Sequence, residues 1–137
     1  MADETTLYVE LEPPVSFTCA DGTGIEKGAL LTLSDPMTVA TTTGDTDAII
    51  GIAAEEKIAS DGKTKIAVYL RGIFKGVAGA AGTTAGQALI SDTGTGTANE
   101  LVNADVNSEH LVGRALETAT DRQTFLFLLS PFSVNLA

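Results

Sequence analysis

The sequence contains no tryptophan, one cysteine (Cys19) and one histidine (His110). One cysteine cannot form an intramolecular disulfide, and one cysteine with one histidine cannot supply the four ligands of a structural zinc site. Basic residues are also scarce, since 8 Lys and Arg stand against 18 Asp and Glu, for a formal net charge of -10. A protein that holds a phosphate backbone needs charge of the opposite sign. The composition therefore excludes a disulfide scaffold and a zinc module, and it argues against a nucleic-acid partner.

Long apolar runs and catalytic motifs are missing as well. No segment approaches the ~18 apolar residues that span a bilayer, and the first residues lack the regions of a signal peptide. The sequence has no Gly-x-Ser-x-Gly elbow, and Gly62-Lys63-Thr64 cannot end a P-loop because Lys57 stands where the first glycine is required. We expect a protein made in the cytoplasm, without a membrane partner, catalytic residues, metal or cofactor.

Short segments of strand length fill most of the 137 residues, and clusters of Gly, Asp, Ser and Thr separate them. Alternation is clearest over residues 63–71, where Ile66, Val68 and Leu70 face one way. Turns at such regular spacing are typical of a small barrel or sandwich. The sequence therefore predicts an all-β fold, with one domain over residues 25–137 preceded by an extended arm over residues 1–24.

An internal repeat predicts that the domain consists of two similar halves. Its glycines correspond in order, Gly28 to Gly86 and Gly51 to Gly113. The matched segments are residues 27–35 with 85–92, residues 49–55 with 111–117, and residues 65–70 with 124–129. We therefore expect residues 27–70 and 85–129 to have the same strand order.

The arm is acidic, because the first 26 residues hold six acids and no base, and Pro13-Pro14 prevents a helix or a central strand. Leu7, Val9 and Leu11 alternate with polar or bulkier side chains as in a strand. We expect this apolar face to dock on a partner's sheet edge. The predicted docking residues are Leu7, Val9, Glu10, Leu11, Glu12, Pro13 and Pro14.

Two further surfaces are predicted. Residues 125–129 are apolar on both faces of a strand, so one face can fill the core while the other needs a partner. We assign the subunit interface to Phe125, Phe127 and Leu129. Five of the eight bases form a possible contact strip for an acidic arm, with an ordinary solvated sheet face as the alternative. They are Lys57, Lys63, Lys65, Arg71 and Lys75.

The ordered pattern of these glycine motifs resembles the tailed-phage capsid cement proteins, also called head decoration proteins. The matching residues are Glu26-Lys27-Gly28-Ala29-Leu30, Ile50-Gly51-Ile52-Ala53, Asp61-Gly62 with Val68 and Gly72, Ala85-Gly86-Gln87-Ala88-Leu89, and Val112-Gly113-Arg114-Ala115-Leu116. One departure is Gln87, where the family pattern has an acid. The resemblance implies a non-enzymatic virion protein that binds the major capsid protein on the outer surface of an icosahedral head, as a homotrimer that bridges capsomers.

A carbohydrate-binding or adhesin-like β module on a virion is the alternative function. Such modules bind sugars on exposed, stacked aromatic rings. The sequence supplies few of them, with no tryptophan, two tyrosines and five phenylalanines. We therefore rank glycan binding second.

Overall fold

The computed structural model describes residues 4–43, 47–92, 99–105 and 108–133, and these residues contain eleven strands and no helix. The strands are β1 (Thr6–Glu10), β2 (Val15–Cys19), β3 (Leu30–Ser34), β4 (Thr38–Thr41), β5 (Ile49–Ala53), β6 (Lys65–Tyr69), β7 (Gly72–Val77), β8 (Ala88–Ser91), β9 (Leu101–Asn103), β10 (His110–Ala115) and β11 (Thr124–Ser133). The prediction of an all-β fold is confirmed. No helix among the described residues is long and apolar enough to cross a membrane.

The first half is a closed barrel in the order β2-β4-β3-β5-β6. Strands β2 and β4 are parallel and close the barrel, and the other pairs are antiparallel. Ile66 and Val68 of β6 point into its core, as the alternation predicts, and Phe17 and Cys19 of β2 join them there. Residues 15–19 are therefore a barrel strand, which corrects the boundary that we drew at residue 24. Residues 1–3 of the predicted arm lie outside the described residues.

The second half repeats the strand order of the first. Its strands run β9-β8-β10-β11-β7, matching β4-β3-β5-β6-β2, and β1 adds to the free edge of β7. A parallel bridge between Ala78 and Leu101 stands where the parallel β2–β4 pair closes the first barrel. The prediction of two similar halves is confirmed.

One glycine in each half, at equivalent positions, allows two neighbouring strands to approach closely. A Cβ atom on Gly51 would clash with the carbonyl oxygen of Tyr69, and one on Gly113 would clash with that of Leu128. Gly51 lies on β5 where it pairs with β6, and Gly113 lies on β10 where it pairs with β11. These strand pairs occupy equivalent places in the two halves, and both need a residue without a Cβ atom. This shared steric constraint explains why the glycine recurs in the sequence repeat.

The two halves share a core. Leu30, Ile49 and Ile52 lie on the outer face of the first barrel, yet they are buried against the inner residues of the second half. Those residues include Phe74, Leu89, Leu101, Val112, Phe125, Phe127 and Leu129. The Leu30 backbone N–H also donates to the buried side-chain oxygen of Asn99, at 3.1 Å. The halves therefore form one folding unit.

Replacement of Gly113 with alanine should destabilise the protein by about 2–4 kcal/mol, because the new methyl group overlaps a backbone carbonyl that cannot move without disturbing the β10–β11 pairing. Gly22→Ala is the matched control, since nothing lies within 4 Å of a Cβ at Gly22. Urea unfolding of the two variants measures the difference. Equal free energies of unfolding would contradict the close-approach explanation.

Candidate functional site

Strand β1 forms the exposed edge of the six-stranded sheet. It pairs on one side with β7, so alternate backbone N–H and C=O groups face outward on the other side. Tyr8 is 63% exposed, Leu11 just beyond the strand is 50% exposed, and Val9 is exposed as well. The segment that we predicted as a docking arm is therefore a strand of the protein's own sheet with a free outer edge.

The start of β1 is anchored to the first half at Gly28. The backbone N–H and the hydroxyl of Thr5 both donate to the carbonyl oxygen of Gly28, each at 2.9 Å, and Thr5 is buried. Gly28 has a φ of +89°, and a Cβ there would clash with the Thr5 carbonyl oxygen. Its equivalent, Gly86, has nearly the same φ of +90° but nothing within 4 Å of a Cβ. Among the described residues, this close contact therefore forms at Gly28 and not at Gly86.

A β-bulge in β1 changes the predicted docking face. Leu7 pairs with Phe74 and Val9 pairs with Ile73, so two steps along β1 correspond to one step along β7. Residues that pair directly share a face of the sheet, so Leu7 faces inward with Phe74 while Val9 faces outward. The expectation that Leu7, Val9 and Leu11 share one face is wrong for the first two.

The end of β1 and the segment after it connect the six-stranded sheet to β2 of the barrel. Glu10, Leu11, Pro13 and Pro14 are exposed and Glu12 is half-buried. The turn therefore presents an apolar side chain beside two carboxylates, at the end of an open sheet edge.

The three apolar residues of β11 that we assigned to a subunit interface point into the core instead. Phe125, Phe127 and Leu129 are buried in the chain's own core, where the Phe127 ring lies 6.1 Å from that of Phe74 and 5.8 Å from that of Phe125. They cannot line a subunit interface. The second apolar face of the strand consists of Leu126 and Leu128, which are half-buried.

Lys57 is buried and does not belong to a surface strip. Its ammonium group donates to the side chains of Asp61 at 2.8 Å and Asp21 at 3.2 Å, and to the backbone oxygens of Ile58 and Asp21. Desolvation lowers the pKa of Lys57, but the hydrogen bonds to Asp61 and Asp21 outweigh it and leave that pKa above its usual value. The residue is a structural tie between two turns of the first barrel.

The other four bases are exposed but are not gathered into one strip. Lys63 pairs with Glu55 at 3.0 Å, and this bond, followed by the bond from the Ala67 N–H, lowers the pKa of Glu55. Lys65 lies on β6 of the barrel, whereas Lys75 lies on β7 of the other sheet. Arg71 lies in the connection between β6 and β7. These positions favour the alternative of ordinary solvated sheet faces.

The described residues hold little that would suit a metal or a sugar. They contain no group of three or more His, Cys, Asp or Glu side chains that could hold a metal ion. Cys19 is buried, which raises the pKa of its thiol. Two aromatic side chains are strongly exposed in this part of the chain, Tyr8 beside the β1 bulge and Phe132 near the end of β11. They lie on different strands rather than in a stacked aromatic platform.

Comparisons with known proteins agree with this architecture. The family model described as phage cement protein matches residues 10–129. No curated protein sequence matches the chain. Among solved structures, the chain is similar to "The crystal structure of head fiber gp8.5 N base in bacteriophage phi29", with a TM-score of 0.54 and 20% sequence identity over 90% of this chain and 99% of that chain. At that identity the structural similarity establishes a shared fold.

We expect Lys57→Met to lower the melting temperature much more than Lys65→Met, which removes an exposed ammonium group. Methionine fills the space of the lysine stem but donates no hydrogen bond, so two aspartates and two carbonyl oxygens lose the ammonium donor, although Asp21 and Asp61 each keep a backbone N–H donor. Thermal unfolding followed by circular dichroism at neutral pH measures the difference.

The same comparison has a pH dependence. The hydrogen bond from Lys57 holds the pKa of Asp61 below its usual value in the folded state, so its stabilisation is present at neutral pH and is lost as the pH falls through that folded-state pKa. The difference between the two variants should therefore shrink in acid. Equal melting temperatures at neutral pH would contradict the structural role of Lys57.

Proposed function

The chain belongs to the phage cement protein family, and we propose on this basis that it decorates the outer surface of an icosahedral phage head. Its partner there is the major capsid protein, to which it binds as a homotrimer that bridges neighbouring capsomers. The role is structural and involves no catalysis. Family membership associates the protein with the capsid of the virion.

We assign the capsid contact to the open edge of β1 and to the turn after it. The observation that supports this assignment is the exposure of Tyr8, Leu11 and the outward backbone groups of an edge strand. A free edge can accept a strand or an extended loop of the capsid protein by β-augmentation, in which main-chain hydrogen bonds provide affinity. Glu10 and Glu12 flank Leu11 and favour a basic counterpart on the shell.

Valency supplies the binding strength that one short edge lacks. A closed trimer presents three identical edges to symmetry-matched sites on the shell. Linked binding of this kind raises avidity by ~10² to 10⁴ over the single contact, provided that all sites can be engaged together. Capsomers that share one trimer can then separate only if a cement contact also breaks, which is how the protein stabilises the shell.

The arm cannot be tested cleanly by deletion. Removal of residues 1–14 also removes the Thr5 anchor and β1, which covers the edge of β7 beside Phe74. A truncated protein would therefore lose stability as well as any capsid contact. Point substitutions on exposed side chains separate the two effects.

Leu11→Asp should weaken decoration of undecorated shells by about tenfold or more, because it places an unpaired charge in a desolvated apolar contact. The matched control is Met37→Asp, since Met37 is 57% exposed on the first barrel and its φ of 43° is one that aspartate tolerates. Co-sedimentation of each variant with shells gives the affinity and the saturating copy number. Undiminished decoration by Leu11→Asp would refute the assignment of the contact.

The acidic residues predict a separate effect of salt. Exposed charges steer association over roughly a Debye length, about 8 Å at physiological ionic strength. Raising the salt concentration should therefore slow attachment of the wild-type protein to shells, and a Glu10→Gln, Glu12→Gln double variant should attach more slowly and depend less on salt. Stopped-flow light scattering measures both rates. A salt-independent rate for the wild-type protein would contradict the steering role.

A further inference from the structure

The outer face of the six-stranded sheet is apolar and open. One continuous row crosses five strands, because Val9 pairs with Ile73, Ile73 with Leu128, Leu128 with Arg114, and Arg114 with Ala88. Directly paired residues lie on the same face, and every member of this row is exposed or half-buried. Four of the five side chains are apolar, so the row forms an apolar stripe with a single cation.

The stripe widens at one end into a shallow groove between β8, β10 and β11. Leu111 pairs with Phe132, and the Phe132 ring is 62% exposed. The groove has a volume of about 410 Å³, and its walls include Gly86, Ala88, Leu111, Arg114, Leu128 and Phe132. Contiguous exposed apolar surface of this kind marks a site of protein association.

The equivalent face of the first half indicates what covers such a surface. Leu30 corresponds to Ala88 and Ile52 corresponds to Arg114, as the glycine alignment of the two halves gives. Leu30 and Ile52 are fully buried because the second half of the same chain packs on them. The outer face of the first half is therefore covered by the second half, whereas the equivalent outer face of the second half stays open.

The charges on the open face favour another copy of this chain. Arg114 and Lys75 are both exposed on this face, and neither forms an ion pair with a residue that the structure describes. The first half of a neighbour, residues 15–69, holds eight acids and four bases, a net charge of 4 - 8 = -4. Two cationic faces would repel each other, so a head-to-tail contact is favoured over a two-fold dimer.

We infer that the outer face of the six-stranded sheet, from Val9 to Ala88 and including Leu111 and Phe132, binds the acidic first half of a second copy of this chain. Head-to-tail contacts close into a ring when the rotation between neighbours is a whole fraction of a turn, which is one third of a turn for the proposed trimer. The inference deepens the proposed function, because it names the face through which the copies of the proposed trimer meet.

The test measures self-association in the absence of shells, so a failure of capsid binding leaves the readout unchanged. Phe132→Glu and Arg114→Glu alter exposed side chains and should leave the melting temperature unchanged. Ala80→Glu is the matched control, because Ala80 is exposed in the turn after β7 and lies outside both the groove and the first half. Sedimentation velocity over a concentration series gives the association constant of each protein.

We expect the wild-type protein and Ala80→Glu to sediment as the same oligomer, and we expect each face variant to weaken association at least about tenfold. Two results would overturn the inference. The first is a wild-type protein that stays monomeric at every concentration, and the second is an unchanged oligomer for both face variants. If the second is found, loss of shell binding by the same variants in co-sedimentation would assign this face to the capsid protein instead.

Discussion

The burial of the first barrel's outer face inside the second half's core is the contact on which the rest of the structure depends. Leu30, Ile49 and Ile52 complete a core that the second half does not fill alone, and they do so from outside the first barrel. Two five-stranded units of this size would each be marginal as separate domains, because a small unit buries too little apolar surface. The shared core joins the two halves into one folding unit. Because the first half packs on the inner face of the second half, the outer face of the second half stays open.

The repeat was predictable from the sequence because it has a steric cause. Gly51 and Gly113 must lack a Cβ where the third strand of each half approaches the fourth, and Gly28 and Gly86 both adopt a left-handed φ that favours glycine. Such constraints leave glycine at equivalent strand positions in the same order in both halves, with 51 - 28 = 23 positions between the two glycines in the first half and 113 - 86 = 27 in the second. They predicted the two similar halves and the family resemblance together, without any single specific motif.

Three features were not predictable, and each depends on contacts between distant parts of the chain. The bulge that separates the faces of Leu7 and Val9 arises where β1 pairs with β7, about 65 residues further along. The burial of Lys57 depends on Asp21, which lies in a different turn. The orientation of β11 was ambiguous because both faces are apolar, and only the packing of Phe125 and Phe127 against Phe74 determines which one is inside.

The two halves have different residues on their outer faces, and this difference distinguishes the face that is buried within the chain from the face that stays open. At equivalent positions the first half has Ile52, which is fully buried, and the second half has Arg114, which is exposed. An isoleucine at the second position would extend the apolar stripe without interruption and would increase the risk of indiscriminate aggregation. An arginine keeps the open face soluble in the single chain, repels an identical face and attracts an acidic one. The two halves therefore differ at two equivalent strand positions, with buried Leu30 and Ile52 in the contact within the chain and with Ala88 and Arg114 on the open face.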